Sequence, residues 1–151
     1  MKHFLTAILV ASNAVLATAA DETQTAKPDQ RPHEGVWKPI AAVLGGMKLP
    51  KPALDAITLK ITGDTYEVTV EGEKEADKGT CTLDTSANPK RMTIISTSGP
   101  NRGKTFLAIY EMKDEGSLRV CYDLSGAEFP KEFKAPKGTH LYLVGYRRSK
   151  P

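Results

Sequence analysis

From Gly35 to Arg148 the chain is written in short runs of period two, each closed by a turn signal. Leu59 and Ile61 alternate with Thr58, Lys60 and Thr62, and Gly63-Asp64 makes a tight turn. Tyr66, Val68 and Val70 then alternate with Glu67 and Thr69. A pair of runs like this is a hairpin with one buried face. The pattern continues through Cys81 and Leu83, then Met92 and Ile94, then Thr105 to Glu111. There Phe106, Ala108 and Tyr110 share one side, and Leu107 and Ile109 the other. Leu118, Val120 and Tyr122 alternate with Arg119 and Cys121, and His140 to Arg147 forms the last run. A first strand spans Val36 to Val43, and Pro39 inside it calls for an edge position or a bulge. About eight evenly spaced short strands with almost no helix argue for an all-β barrel or sandwich. The one helix expected is Pro50 to Ile57, with proline at its start and Leu54 and Ile57 facing inward.

The two ends of this region choose between those architectures. Gly35-Val36-Trp37 opens it and Tyr146-Arg147-Arg148 closes it, and Trp37 is the only tryptophan in the chain. An indole on the first strand can plug one end of an up-and-down barrel, and a guanidinium from the last strand can lie across its face. Trp37, Arg147 and Arg148 are therefore expected to close an antiparallel barrel of about eight strands.

Ahead of the barrel stands a processing signal. Met1-Lys2-His3 is a short basic start, Phe4 to Leu16 is mostly apolar, and Ala17 to Ala20 supplies small residues for cleavage after Ala19 or Ala20. The apolar run is too short to span a bilayer comfortably, so no stable membrane insertion is expected after cleavage. Residues 1–20 read as a signal peptide, 21–34 as a flexible polar leader and 35–150 as the domain, which places the protein outside the cytoplasm, periplasmic or secreted. Cleavage removes one lysine from the 21 basic side chains and nothing from the 18 acidic ones. The near-neutral balance argues against a nucleic-acid partner. Cys81 and Cys121 would meet oxidising conditions after export. They form either one disulfide or two free, buried thiols, and a meander that separates their strands by two others favours the thiols.

No catalytic or metal motif survives inspection. Gly99-Pro100-Asn101-Arg102-Gly103-Lys104-Thr105 has three residues between its glycines where a phosphate loop needs four, and a strand follows it instead of a helix. His33 and His140 are far apart and lack ligand spacing. Glu71, Glu73, Glu75 and Asp77 lack the pattern of a calcium loop and read as a solvated hairpin tip. There is no Gly-x-Ser-x-Gly elbow. The expectation is a protein that is not an enzyme and carries no cofactor and no metal.

Several motifs, in order and spacing, resemble one known family. They are Gly35-Val36-Trp37, Gly63-Asp64-x-Tyr66, Gly79-Thr80 followed by Leu83-Asp84, and Gly99 to Thr105. Ile109-Tyr110-Glu111, Leu118-x-x-Cys121-Tyr122 and the final arginine complete the set. From Gly35 to Arg148 the chain resembles the uncharacterised lipocalin-like domain family abundant in planctomycete-type bacteria. The resemblance implies a lipocalin-like barrel and no particular activity. The family's Arg-Pro pair before the last strand is replaced here by Phe129-Pro130, so no role is carried to that position.

A barrel of this size can hold one small apolar ligand at its mouth. Inward-facing positions that would line such a site are Tyr66, Val68, Met92, Phe106, Tyr110, Tyr122 and Leu143. The rival expectation is an extracytoplasmic protein-interaction or inhibitor module. It would act through the loop Glu71 to Asp77 and the connection Ser125 to Gly138, with an exposed apolar patch at Phe129 and Phe133. Partners are thus a small apolar molecule or an extracytoplasmic protein.

Overall fold

The computed structural model describes residues 32–150. The signal-peptide reading, and the leader up to Arg31, lie outside the described residues. The strands are β1 (Gly35–Leu44), β2 (Met47–Lys48), β3 (Ile57–Thr62), β4 (Thr65–Val70) and β5 (Asp77–Asp84), followed by β6 (Lys90–Ser98), β7 (Thr105–Asp114), β8 (Ser117–Asp123) and β9 (Leu141–Arg148). One helix, α1 (Lys51–Ala56), separates β2 from β3. Each strand from β3 to β9 pairs antiparallel with the next, and β1 pairs with both β3 and β9. The sheet therefore closes on itself as an eight-stranded, up-and-down, lipocalin-like barrel. β2 is a two-residue extra strand folded back on β1 after the Gly45-Gly46 turn.

Closure is concentrated at one residue. Trp37 faces Leu59 across one edge of β1 and Arg148 across the other. It is fully buried, and its Nε1 donates to the His33 carbonyl at 2.9 Å. The Arg148 guanidinium lies over the indole, 4.3 Å from Cζ to the ring centroid. Its Nη2 donates to the Pro32 carbonyl at 2.6 Å, its Nη1 to the Glu34 carbonyl, and its Nε to the Glu115 carbonyl at 2.8 Å. Gly35 stands next to this fork with φ +131°, and a Cβ there would collide with Nη1. Both the backbone conformation and the close approach thus demand glycine. Arg147 points away: its position is exposed, and it pairs through backbone with Lys38 and Ser117. Of the two arginines, Arg148 performs the closure.

One expectation shifts at this end, and the bulge expected at Pro39 is present. Pro32, His33 and Glu34 were read as part of a flexible leader, but their carbonyls are the acceptors for Trp37 and Arg148. Glu34 Oε1 also accepts from Gly63 N at 2.7 Å. Pro32, His33 and Glu34 therefore belong to the barrel's closed end, because a capped barrel end needs backbone to lie across it. Pro39 sits beside a bulge: the β1–β9 register slips between Pro39 and Ala41.

The strands that are apolar on both faces have a covering. Phe106, Ala108 and Tyr110 of β7 and Tyr142, Val144 and Tyr146 of β9 share the interior. On the outside, Ile109 lies beside Cys121, and Cys121 beside Leu143. The β8–β9 connection folds back over this outer stripe. Phe129 stacks under Arg91 (4.5 Å) and Phe133 under Arg119 (4.2 Å). Cys121 Sγ donates to the Lys134 carbonyl at 3.4 Å, and Pro130 and Ala135 are buried. Asp123 pins the start of the strap by accepting from Ser125 N and Oγ and from Glu128 N. Burial alone would raise its carboxyl, but these hydrogen bonds, with one from Ala127, outweigh it and hold the group below the usual range. Ile109 is fully buried as a result. Cys81 belongs to the interior cluster and Cys121 to the strap. Both are free and buried.

Candidate functional site: the barrel cavity

The interior is not filled. A cavity of about 530 Å³ runs inward from the end opposite Trp37. That end carries the β4–β5 and β6–β7 connections, whereas the tight β3–β4 and β7–β8 turns surround the tryptophan. The volume lies within the range of about 300–1,000 Å³ typical of small-molecule sites. Its inner surface is aliphatic, with Ile61, Met92, Ile94, Leu118 and Val120. Aromatic residues from four strands make up much of the remaining wall, and Glu73, Glu75, Asn101 and Lys104 stand at the rim.

Five of the seven residues expected to line a ligand site do so: Tyr66, Val68, Met92, Phe106 and Tyr122. Two do not. Tyr110 is on the same face of β7 as Phe106 but four residues nearer the sealed end, where it is buried in the core beyond the cavity. Leu143 is on the outer face. Its neighbours Tyr142 and Val144 point inward, and it lies beside Cys121 on the outside. Apolar residues on both faces of β9 hid that phase in the sequence.

The site also holds a polar feature that sequence reasoning missed. Asp77 was read as part of a solvated hairpin tip. It is instead the first residue of β5, and it is buried. Its Oδ1 accepts from Ser96 Oγ at 2.6 Å and Asn101 N at 3.3 Å, and its Oδ2 accepts from Tyr66 Oη at 3.0 Å. The missed signal is phase. Asp77 is two and four residues ahead of Gly79 and Cys81, and Ser96 follows Met92 and Ile94 at the same step, so both share the inward face. Gly79 is part of the arrangement, since a Cβ there would collide with the Ile95 carbonyl. Its absence lets β6 swing close, with a register slip between Lys78 and Gly79.

A second polar pair lies across the barrel, where Tyr122 Oη and Tyr146 Oη share a hydrogen bond of 2.9 Å. The Tyr122 ring stacks on Tyr142 with centroids 5.8 Å apart. Burial pushes Tyr66 up to about 12, and chiefly burial also raises Tyr122 and Tyr146. At neutral pH the wall therefore presents neutral phenols. Burial, with the negative charge of Asp64, pushes the Cys81 thiol up to about 12, which keeps it protonated and a poor nucleophile. Among the described residues no three His, Cys, Asp or Glu side chains form a group able to hold a metal ion.

The site as built can enclose an apolar body, contact aromatic faces and offer a buried carboxylate near its mouth. No family model, no curated protein and no solved structure matches this chain, so the reading of the cavity rests on its own geometry.

Proposed function

We propose that the protein is a non-catalytic binding module that holds a small, largely apolar molecule in its barrel. It would act outside the cytoplasm, as a member of the lipocalin-like family whose motifs it resembles. The observation that carries this reading is the cavity, sealed at one end by Trp37 and Arg148 and open at the other. A barrel that only needed to be stable would fill its interior to crystal-like density, because voids forfeit packing. The rival reading, a module acting through its loops, loses the exposed apolar patch expected to support it. Phe129 and Phe133 are half-buried under arginines on the barrel wall.

Native mass spectrometry of the protein purified from its own source tests the proposal. The expected result is a retained small molecule that leaves on denaturation. Titration of the emptied protein with decanol, a neutral apolar probe, should then saturate at one site, and Val68→Trp should abolish it by filling the cavity. A protein that carries no molecule and binds no decanol would overturn the reading.

A further inference from the structure

We propose that the cavity takes a cationic amphiphile, an apolar body bearing a protonated amine, with the ammonium seated against Asp77 Oδ2. The inference rests on the cavity being a ligand site and adds the chemistry of the ligand's polar end.

Three carboxylates line the cavity, Glu73, Glu75 and Asp77, against one cation, Lys104. The ion pairs among the described residues are Lys51–Asp55, Lys78–Glu67, Arg119–Glu111 and Lys134–Glu132, and none of them engages a cavity acid. Lys78 is adjacent to Asp77 in sequence, but the pleat turns it to the outer face, where it meets Glu67. Asp77 is only 9% exposed, and its hydrogen-bond partners are all neutral: a phenol, a hydroxyl and a backbone amide. A buried carboxylate without a counter-charge is costly to maintain. A carboxylate offers about four lone-pair directions. Two donors occupy Oδ1 and one occupies Oδ2, so the direction left open is on Oδ2, the oxygen bonded to the cavity residue Tyr66.

The walls point the same way. Tyr66, Tyr122, Tyr142, Tyr146 and Phe106 line the cavity, and the faces of such rings attract cations, most strongly where water is excluded. An anionic head would face three acids with only Lys104 in its favour. A neutral head would leave Asp77 without its counter-charge. The aliphatic floor accepts the body of the ligand in either case, so the head group decides.

The test uses three probes of equal chain length, decylammonium, decanol and decanoate, each below its micelle concentration, titrated calorimetrically into the purified protein. Decylammonium should bind at least about tenfold more tightly than decanol, a difference of about 1.4 kcal/mol, and decanoate should bind most weakly. Asp77→Asn should bring decylammonium and decanol within about threefold of each other. If Asp77→Asn does not fold, the rim pair Glu73→Gln with Glu75→Gln replaces it and should cut the ammonium preference several-fold. Decanol or decanoate binding as tightly as decylammonium would overturn the inference and leave the apolar-ligand reading standing. So would a preference unchanged in these variants. Failure of all three probes would overturn both.

Discussion

Arg148→Ala isolates the barrel's seal. The substitution removes a guanidinium that ties three carbonyls from two segments, Pro32 and Glu34 before the first strand and Glu115 in the β7–β8 turn, while covering the indole of Trp37. The bond to Glu34 is part-buried, and a charge-assisted bond of that kind contributes about 1.5 kcal/mol or slightly more. The bonds to Pro32 and Glu115 are exposed, so water replaces much of each, and they contribute well under 1 kcal/mol apiece. The guanidinium on the indole adds about 1 kcal/mol. Together these put Arg148→Ala near 3 kcal/mol, which lowers the melting temperature by about 10 °C in a domain of this size. Urea unfolding followed by Trp37 fluorescence measures it directly, because that residue is the chain's only tryptophan. Arg148→Lys keeps the charge but not the planar fork and should recover less than about 1 kcal/mol of the loss. Arg147→Ala, at an exposed position, should stay within about 0.5 kcal/mol of the parent. An Arg148→Ala protein as stable as Arg147→Ala, or full rescue by lysine, would refute the fork as the closing device.

Other consequences follow from the interior. Gly79→Ala should cost about 3 kcal/mol or more, because the new methyl meets the Ile95 backbone, which cannot move away without breaking the β5–β6 ladder; a soluble variant with parental urea stability would contradict that contact. In the folded protein neither thiol should react with Ellman's reagent at pH 8, and unfolding should release two per chain, since both cysteines are free, buried and raised in pKa by burial. Alkaline pH should unfold the protein through its phenols. All five tyrosines are raised above 10, mainly by burial, so between pH 10 and about 12 the folded state holds protons that the unfolded state has released. Their contribution is fully present below pH 10 and is lost as pH climbs through the folded values. Tyrosinate absorbance should therefore rise in one cooperative step with loss of circular dichroism, and a tyrosine titrating reversibly near 10 in the folded state would count against the burial.

The closing pair and the strand order were legible because each rests on a local signal. Alternation marks a half-buried strand, and one Trp followed by a terminal Arg marks a closable barrel. The helix was equally open to view: Pro50 to Ile57 was expected and Lys51–Ala56 is observed. What stayed hidden depends on contacts distant in sequence. The outer stripe of Ile109 and Cys121 looks like a second core until the strap carrying Phe129 and Phe133 is seen to fold back over it. Leu143 is on the outer face because Tyr142 and Val144 take the inner one, a phase that apolar residues on both faces of β9 conceal. Asp77 was hidden by composition, since a run of acids reads as solvent-exposed unless its phase is carried back from Gly79 and Cys81. Pro32 and Glu34 carry no local sign that their carbonyls will become acceptors for an arginine more than a hundred positions away.

The barrel places a charge at each end, and the two charges are treated differently. At the sealed end Arg148 has three carbonyls for its donors and a ring for its face, so the cation spends its hydrogen-bonding capacity on the chain itself. At the open end Asp77 also does structural work. Through Asn101 N it ties the start of β5 to the β6–β7 loop, where a Cβ on Gly99 would collide with the Ala76 carbonyl. Yet its three donors are neutral and one lone-pair direction stays open. A charge that only held loops together could be replaced by a neutral acceptor without the cost of burying an ion. Retaining a carboxylate at the mouth of an open aromatic cavity is coherent if the missing positive charge arrives with the ligand.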